Sequence, residues 1–254
     1  MSAWRLQSGV WERCAGVPVE DRGFRYGMSV FETIAIHRGH VQFLEAHLER
    51  VIRAAHSFGW GRIVVSGIPD CGQIATGVVR IYVTAGVGSP GAGFCGSVYA
   101  LFEECGVGTE FPAARVASSS SPYLPRAGGW KTGNYWQNVD ALAEACRLGV
   151  DDSLLFNPSG ALVCASMANV FLEIDGVWKT PALETGARDG VVRAWVKGQM
   201  PVEETLLAAD DVARSTACFL TNSRVGVRAV SEIDSRVLST GVGALQRRFC
   251  EQIS

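Results

Sequence analysis

Apolar and polar positions along this chain alternate between two periods, and the changes of period mark its elements. Val30, Phe31, Ile34 and Ile36 dominate a run with β-strand character, and Arg38-Gly39 makes a hairpin turn into Val41. Leu44, Leu48, Val51, Ala55 and Phe58 then repeat at helical spacing, with Gly59 as the stop and Arg50 off the apolar stripe. Strands are predicted at Gly9–Cys14, Val17–Val19, Val78–Thr84 and Ser97–Phe102, with Asp21 to Gly27 as a turn-rich segment and Gly86 to Gly91 as a glycine-rich loop. Ser118 to Ser121 with Pro122 and Pro125 reads as a connector.

The pattern changes beyond it. Tyr135, Val139, Leu142 and Cys146 predict a helix burying one stripe, ended by Gly149. Strands follow at Ser153–Phe156 and Ala161–Cys164. A hairpin of Val170–Ile174 and Val177–Lys179 closes on Asp175-Gly176, a strong two-residue turn signal. A helix over Val191–Lys197, strands at Cys218–Thr221 and Val227–Val230, and a last helix from Gly241 complete the chain, with no internal repeat. Two α/β domains are expected, residues 1–115 and 126–254, joined by a connector at 116–125.

At 254 residues, 48% apolar and 19% charged, the chain can bury a sizeable core. A net charge of -2 with no basic run removes the electrostatic basis for nucleic-acid or membrane-surface binding. The start Met1-Ser2-Ala3-Trp4-Arg5 lacks a signal peptide's apolar segment, so a cytoplasmic location is expected. The eight cysteines are evenly spread and expected to be reduced, and the four histidines, all between His37 and His56, show no zinc spacing.

Only three lysines (Lys131, Lys179, Lys197) stand against twenty arginines. Arginine stays protonated, whereas a lysine amine can be deprotonated by burial and form a Schiff base with an aldehyde. Lys131 follows Arg126-Ala127-Gly128-Gly129-Trp130 and precedes a helix, beside Asn134 and Tyr135, a position suited to holding a cofactor. An anion cup can be assembled elsewhere: the helix start after Gly186-Ala187-Arg188-Asp189-Gly190 offers the N–H groups of Val191 and Val192, Thr221-Asn222-Ser223 closes a strand with donors, and Arg50 adds a full charge. A phosphate-bearing aldehyde held by this cup and by Lys131 would use all of them.

Asp21-Arg22-Gly23-Phe24-Arg25-Tyr26-Gly27-Met28-Ser29-Val30-Phe31-Glu32-Thr33 resembles the N-terminal signature of the class IV aminotransferase family, as does His47-Leu48-Glu49-Arg50. Lys131-Thr132-Gly133-Asn134-Tyr135, Ala168-Asn169-Val170-Phe171 and Gly190-Val191-Val192-Arg193 continue the resemblance in order, over essentially the whole chain. It implies a mixed α/β (α+β), two-domain fold like D-amino-acid aminotransferase: fold type IV, dependent on pyridoxal 5'-phosphate, usually a homodimer, with a small amino-acid-like substrate. Lys131 would carry the cofactor and shuttle the Cα proton. Arg50, Val191, Val192 and Ser223 would hold the phosphate.

The departures are equally specific. Cys164 stands where the family has a glutamate beside the pyridine nitrogen, and Glu173 is no obvious replacement. A carboxylate there keeps the ring protonated, and a neutral thiol does so poorly. Thr84-Ala85-Gly86 and Pro90 replace arginines that often bear on substrate carboxylates, and Met28-Ser29 replaces Asp-Gly. The activity expected from the resemblance is that of a lyase like 4-amino-4-deoxychorismate lyase, favoured by the short chain; the alternatives are a transaminase of branched-chain or D-amino acids and a cofactor-binding homologue with impaired catalysis, favoured by Cys164, Ala85 and Pro90.

Overall fold

In the computed structural model, which describes residues 2–70, 74–108, 111–125 and 129–253, the chain divides into two compact units. Arg126, Ala127 and Gly128 of the stretch before Lys131, and Cys71, lie outside the described residues. The first unit comprises residues 1–107, 130–134 and 253–254; the second comprises 108–129 and 135–252. Lys131, expected in the C-terminal domain, thus groups with the N-terminal half.

The first unit is an antiparallel sheet with strand order β2-β1-β6-β5-β3-β4. Its strands are β1 (Ser2–Gln7), β2 (Val10–Arg13), β3 (Ser29–His37), β4 (His40–Val41), β5 (Gly77–Thr84) and β6 (Ser97–Glu104). Helix α2 (Leu44–Ser57) packs Leu48, Val51, Ala54 and Ala55 against Val30, Ile34 and Ile36 of β3 and their neighbours on β5 and β6. Residues 17–19, read as a strand, are not one; the turn-rich segment after them holds a short helix α1 (Arg22–Tyr26). The Asp21 carboxylate accepts the Gly23 N–H at 2.6 Å, and Gly27 ends the helix at φ 65°.

The second unit is built on a nine-stranded mixed sheet in the order β12-β11-β10-β13-β14-β7-β8-β9, with β15 (Arg236–Val237) beside β14. The members are β7 (Ala114–Ser118), β8 (Asp152–Phe156), β9 (Leu162–Ala165), β10 (Asn169–Ile174), β11 (Val177–Pro181), β12 (Glu203–Thr205), β13 (Ala217–Asn222) and β14 (Gly226–Ile233). Asp175 and Gly176 both have positive φ, 54° and 77°, as a two-residue hairpin requires. The remaining helices are α3 (Trp136–Arg147), α4 (Val191–Gln199), α5 (Ala209–Arg214) and α6 (Gly243–Ile253). The expected connector is partly structural, because β7 runs parallel to both β14 and β8.

Helix α3 forms where expected but buries a different stripe. Asn138, Ala141 and Ala145 face inward, while Val139 is 51% exposed and Cys146 is exposed. Small residues let α3 sit close to β8, where the Ser153 hydroxyl donates to the Ala141 carbonyl at 3.1 Å. Asn138 tolerates burial because its amide donates to the Ser166 carbonyl at 2.8 Å.

Candidate active site

In the first unit, Trp130–Asn134 lies along the N-terminal half of β3. The Phe31 N–H donates to the Lys131 carbonyl at 2.9 Å, the Gly133 N–H donates to the Ser29 carbonyl at 2.7 Å, and Val30 and Thr132 form a bridge. Gly133 suits this approach: a Cβ there would fall on the Ser29 hydroxyl, which would have to rotate away. Main-chain pairing on both sides fixes the Lys131 backbone, and its Nζ lies over the Phe31 ring, 4.1 Å from the centroid. The half-buried amine is therefore presented against an aromatic face.

Successive strand residues point to opposite faces, so Glu32 projects away from Phe31 toward α2. The helical spacing of His47 and Arg50 puts both on one face, and they converge on this carboxylate. Arg50 Nε donates to Oε1 at 2.7 Å and Nη2 to Oε2 at 2.5 Å, while His47 Nδ1 lies 2.8 Å from Oε2. Burial alone would raise the Glu32 pKa, but the Arg50 charge and the hydrogen bonds from His47 and Arg50 outweigh it and bring it to about 2. The pairing orients the guanidinium. The strand pattern does not single out Glu32; the i,i+3 pair His47/Arg50 is the signal for a carboxylate partner.

The other expected site residues belong to the second unit. Val191 and Val192 open α4, whose N-cap is Gly190 with no side-chain cap, and the Ala194 N–H is the first to reach back, to the Gly190 carbonyl. The preceding N–H groups have no intrahelical acceptor. Gly190 passes so close to Asn169 that a Cβ would strike its Oδ1, and Asn169 Nδ2 holds the Arg188 carbonyl at 2.8 Å. Across the β10–β13 ladder Asn169 pairs with Thr221, whose hydroxyl is buried with no partner among the described residues. Ser223 follows β13 in the turn that Asn222 organises by accepting the N–H groups of Arg224 and Val225, each at 2.9 Å. An uncapped helix start and an orphaned hydroxyl in one neighbourhood are unsatisfied donors of the kind a phosphate needs.

Cys164 is buried in β9 at 3% exposure, packed with Tyr123, Ala141, Leu155, Val163 and Ala187. Next to Ala187 stands Arg188, which the sequence offered only as part of a loop. Its Nη1 donates to the Tyr135 hydroxyl at 2.8 Å, and its Nη2 to the Tyr123 hydroxyl and to Asn138 Oδ1, both at 3.2 Å. The guanidinium carbon lies 4.8 Å from the Tyr135 ring centroid. Burial works against its charge, but Tyr135, Tyr123 and Cys164 outweigh that, so Arg188 is held above its ordinary value. Burial also raises the Tyr123 pKa, with Arg188 opposing, so this phenol keeps its proton at neutral pH. Glu173 is occupied elsewhere, accepting the Thr216 hydroxyl at 3.0 Å.

The first unit thus holds a sheet-bound lysine with its amine on an aromatic face and an arginine oriented by a buried carboxylate; the second holds an uncapped helix start of the kind that suits an anion. Residues 29–233 match the family described as amino-transferase class IV, and the chain belongs to that family of enzymes. It is 28% identical over 266 residues to a Methanocaldococcus jannaschii protein named for branched-chain-amino-acid aminotransferase activity, covering 95% of this chain and 91% of the other. An aminodeoxychorismate lyase of Vibrio harveyi is 25% identical, with 92% and 94% covered. Among solved structures, the branched-chain aminotransferase of Thermoproteus uzoniensis with norvaline superposes at TM-score 0.85, with 24% identity and 100% and 93% covered. A Brucella abortus aminotransferase bound to the cofactor PLP superposes at 0.82, with 18% identity and 99% and 98% covered. The mixed α/β, fold type IV architecture expected from the sequence is thereby established.

Proposed function

We propose that this protein is a pyridoxal phosphate-dependent transaminase of small amino acids, acting as a homodimer in the cytoplasm. The observation that carries this reading is the placement of Lys131, its backbone paired to β3 and its Nζ over Phe31. Pyridoxal phosphate supplies the electron sink that makes an amino acid's Cα proton removable. Lys131 Nζ anchors the aldehyde and is the base at hand for that proton. Arg50, oriented by Glu32, the N–H groups of Val191 and Val192, and Ser223 hold the phosphate. Cys164 contributes a thiol where a carboxylate would favour a protonated ring.

The relatives weight this reading toward amino transfer, since the branched-chain-named protein is 28% identical to this chain and the lyase 25%. Chain length does not separate the branches: this chain covers 91% of that protein and 94% of the lyase. The Vibrio harveyi relative supports elimination of pyruvate as a second reading. The test begins with the visible spectrum of the purified protein before and after borohydride, followed by peptide mapping, which should place the reduced adduct on Lys131. Incubation with a panel of amino acids, with and without a keto acid, then distinguishes the branches. Transfer requires the keto acid; pyruvate release from an aminodeoxychorismate-like substrate without one would establish the lyase. An adduct on Lys179 or Lys197 would refute the site.

A further inference from the structure

Arg188 is a half-buried cation whose hydrogen-bond partners are all neutral: two phenols and an amide. Cations taken out of water are ordinarily matched by an anion, and no carboxylate among the described residues forms a salt bridge with this one. Its chain neighbour Asp189 is turned to Arg193 Nη1 at 3.5 Å, and Glu204, the other acid of that group, accepts Arg193 Nη2 at 2.6 Å.

A second observation adds positive potential at the same place. Tyr135, which receives Arg188 Nη1, is also the N-cap of the twelve-residue α3, where its side chain makes no capping hydrogen bond. The first turn of α3 holds no acidic residue, so the positive end of the helix dipole adds to the guanidinium instead of offsetting it. Asn138 and Tyr123, at 1% and 8% exposure, form the buried floor, while Arg188 and Tyr135 are only half-buried. Tyr123 and Asn138 are themselves 3.4 Å apart, hydroxyl to Oδ1, so the floor is a connected polar network.

We infer that Arg188, framed by Tyr135 and Tyr123, is the binding site for a carboxylate of the substrate. The inference rests on the amino-acid chemistry proposed above, since every amino or keto acid brings a carboxylate. The planar guanidinium matches that group in shape and charge. It also fills a functional gap, because Ala85 and Pro90 offer no side-chain charge for this purpose.

The test uses holoprotein and an unreactive probe, 4-methylpentanoate, with 4-methylpentanamide as its uncharged control; binding is read by calorimetry and by perturbation of the cofactor's visible band. Wild type should bind the carboxylate and discriminate against the amide. Arg188→Gln should weaken carboxylate binding about 10- to 100-fold, the worth of a charge-assisted hydrogen bond, with cofactor affinity unchanged. Should that variant not fold, Arg188→Lys and Tyr135→Phe decide, each expected to weaken the probe about threefold or more through loss of the fork or of its support. Wild-type probe affinity in the folded variants overturns the inference. So does a loss confined to cofactor affinity, which would make Arg188 a partner of the cofactor's own anionic groups. A wild-type protein that takes up no cofactor refutes the proposed function before any probe is added. A loaded protein whose probe affinity is indifferent to Arg188 refutes only this inference.

Discussion

Replacing Glu32 with glutamine removes one charge from a buried triad and leaves Arg50 and His47 facing an amide. Glu32 is 2% exposed, and its pKa falls from 4.5 to about 2 in the folded protein. At about 1.4 kcal/mol per pH unit, that displacement corresponds to roughly 3 kcal/mol of stability. Because the folded value is the lower one, the contribution is fully present above pH 4.5 and is lost as pH falls through about 2. Breaking a buried pair from one side costs about 3–5 kcal/mol in general, in line with this figure. Glu32→Gln is therefore expected to lower unfolding free energy at pH 7 by roughly 3 kcal/mol, read from urea melts followed by tryptophan fluorescence. Other carboxylates also titrate in acid, so the informative quantity is the difference between wild type and variant. It should be largest above about pH 5 and shrink steadily toward pH 2. A difference that stays flat across that window, or a variant as stable as wild type at pH 7, would refute the account of the triad.

Further outcomes follow from the site. Lys131→Ala should fold but lose the visible cofactor band and all borohydride-fixed adduct, measured by absorbance and mass spectrometry. Arg50→Ala should weaken cofactor binding about 10- to 100-fold, the worth of a charge-assisted hydrogen bond; unchanged affinity in an equilibrium titration would leave Arg50 as a partner of Glu32 alone. Gly133→Ala should destabilise the protein by driving a methyl into the Ser29 hydroxyl, and Ser29→Gly should restore much of the loss in a double-mutant cycle. Cys164→Glu should speed exchange of the Cα proton of a bound amino acid, followed by deuterium incorporation from solvent; an unchanged rate would show that Cys164 is no deficit.

Elements governed by local pattern could be read directly from the chain. The apolar run of β3, the stripe of α2 and the Asp175-Gly176 hairpin needed only neighbours in sequence. Helix α3 lies where the apolar spacing predicts but turns another face inward, because hydrophobicity alone favours burying Val139 and Cys146. Asn138 is inward instead, its amide satisfied by a carbonyl 28 residues away, a partner no periodicity reveals. Strand β7 was hidden by the serines that follow it. Arg50 and Lys131 stood out by motif and rarity, but their counterparts Glu32 and Phe31 are read only once the chain has folded back. Arg188 sat in a segment already singled out for its glycines, and its charge acquires meaning only beside tyrosines more than fifty residues away.

The excursion of residues 130–134 into the first unit also has a consequence for biosynthesis. The chain leaves that unit at Val107 and returns to it with Trp130, and its last residues belong there as well. During translation, the edge of β3 at Ser29–Phe31 therefore emerges long before Lys131 and Gly133 exist to pair with it. An unpaired apolar edge of this kind can recruit foreign strands. The lysine proposed to carry the cofactor thus lies on the segment that finally covers this edge. A premature stop between residues 107 and 130 would therefore release a polypeptide with this edge uncovered, and it should appear in inclusion bodies more readily than the full chain does.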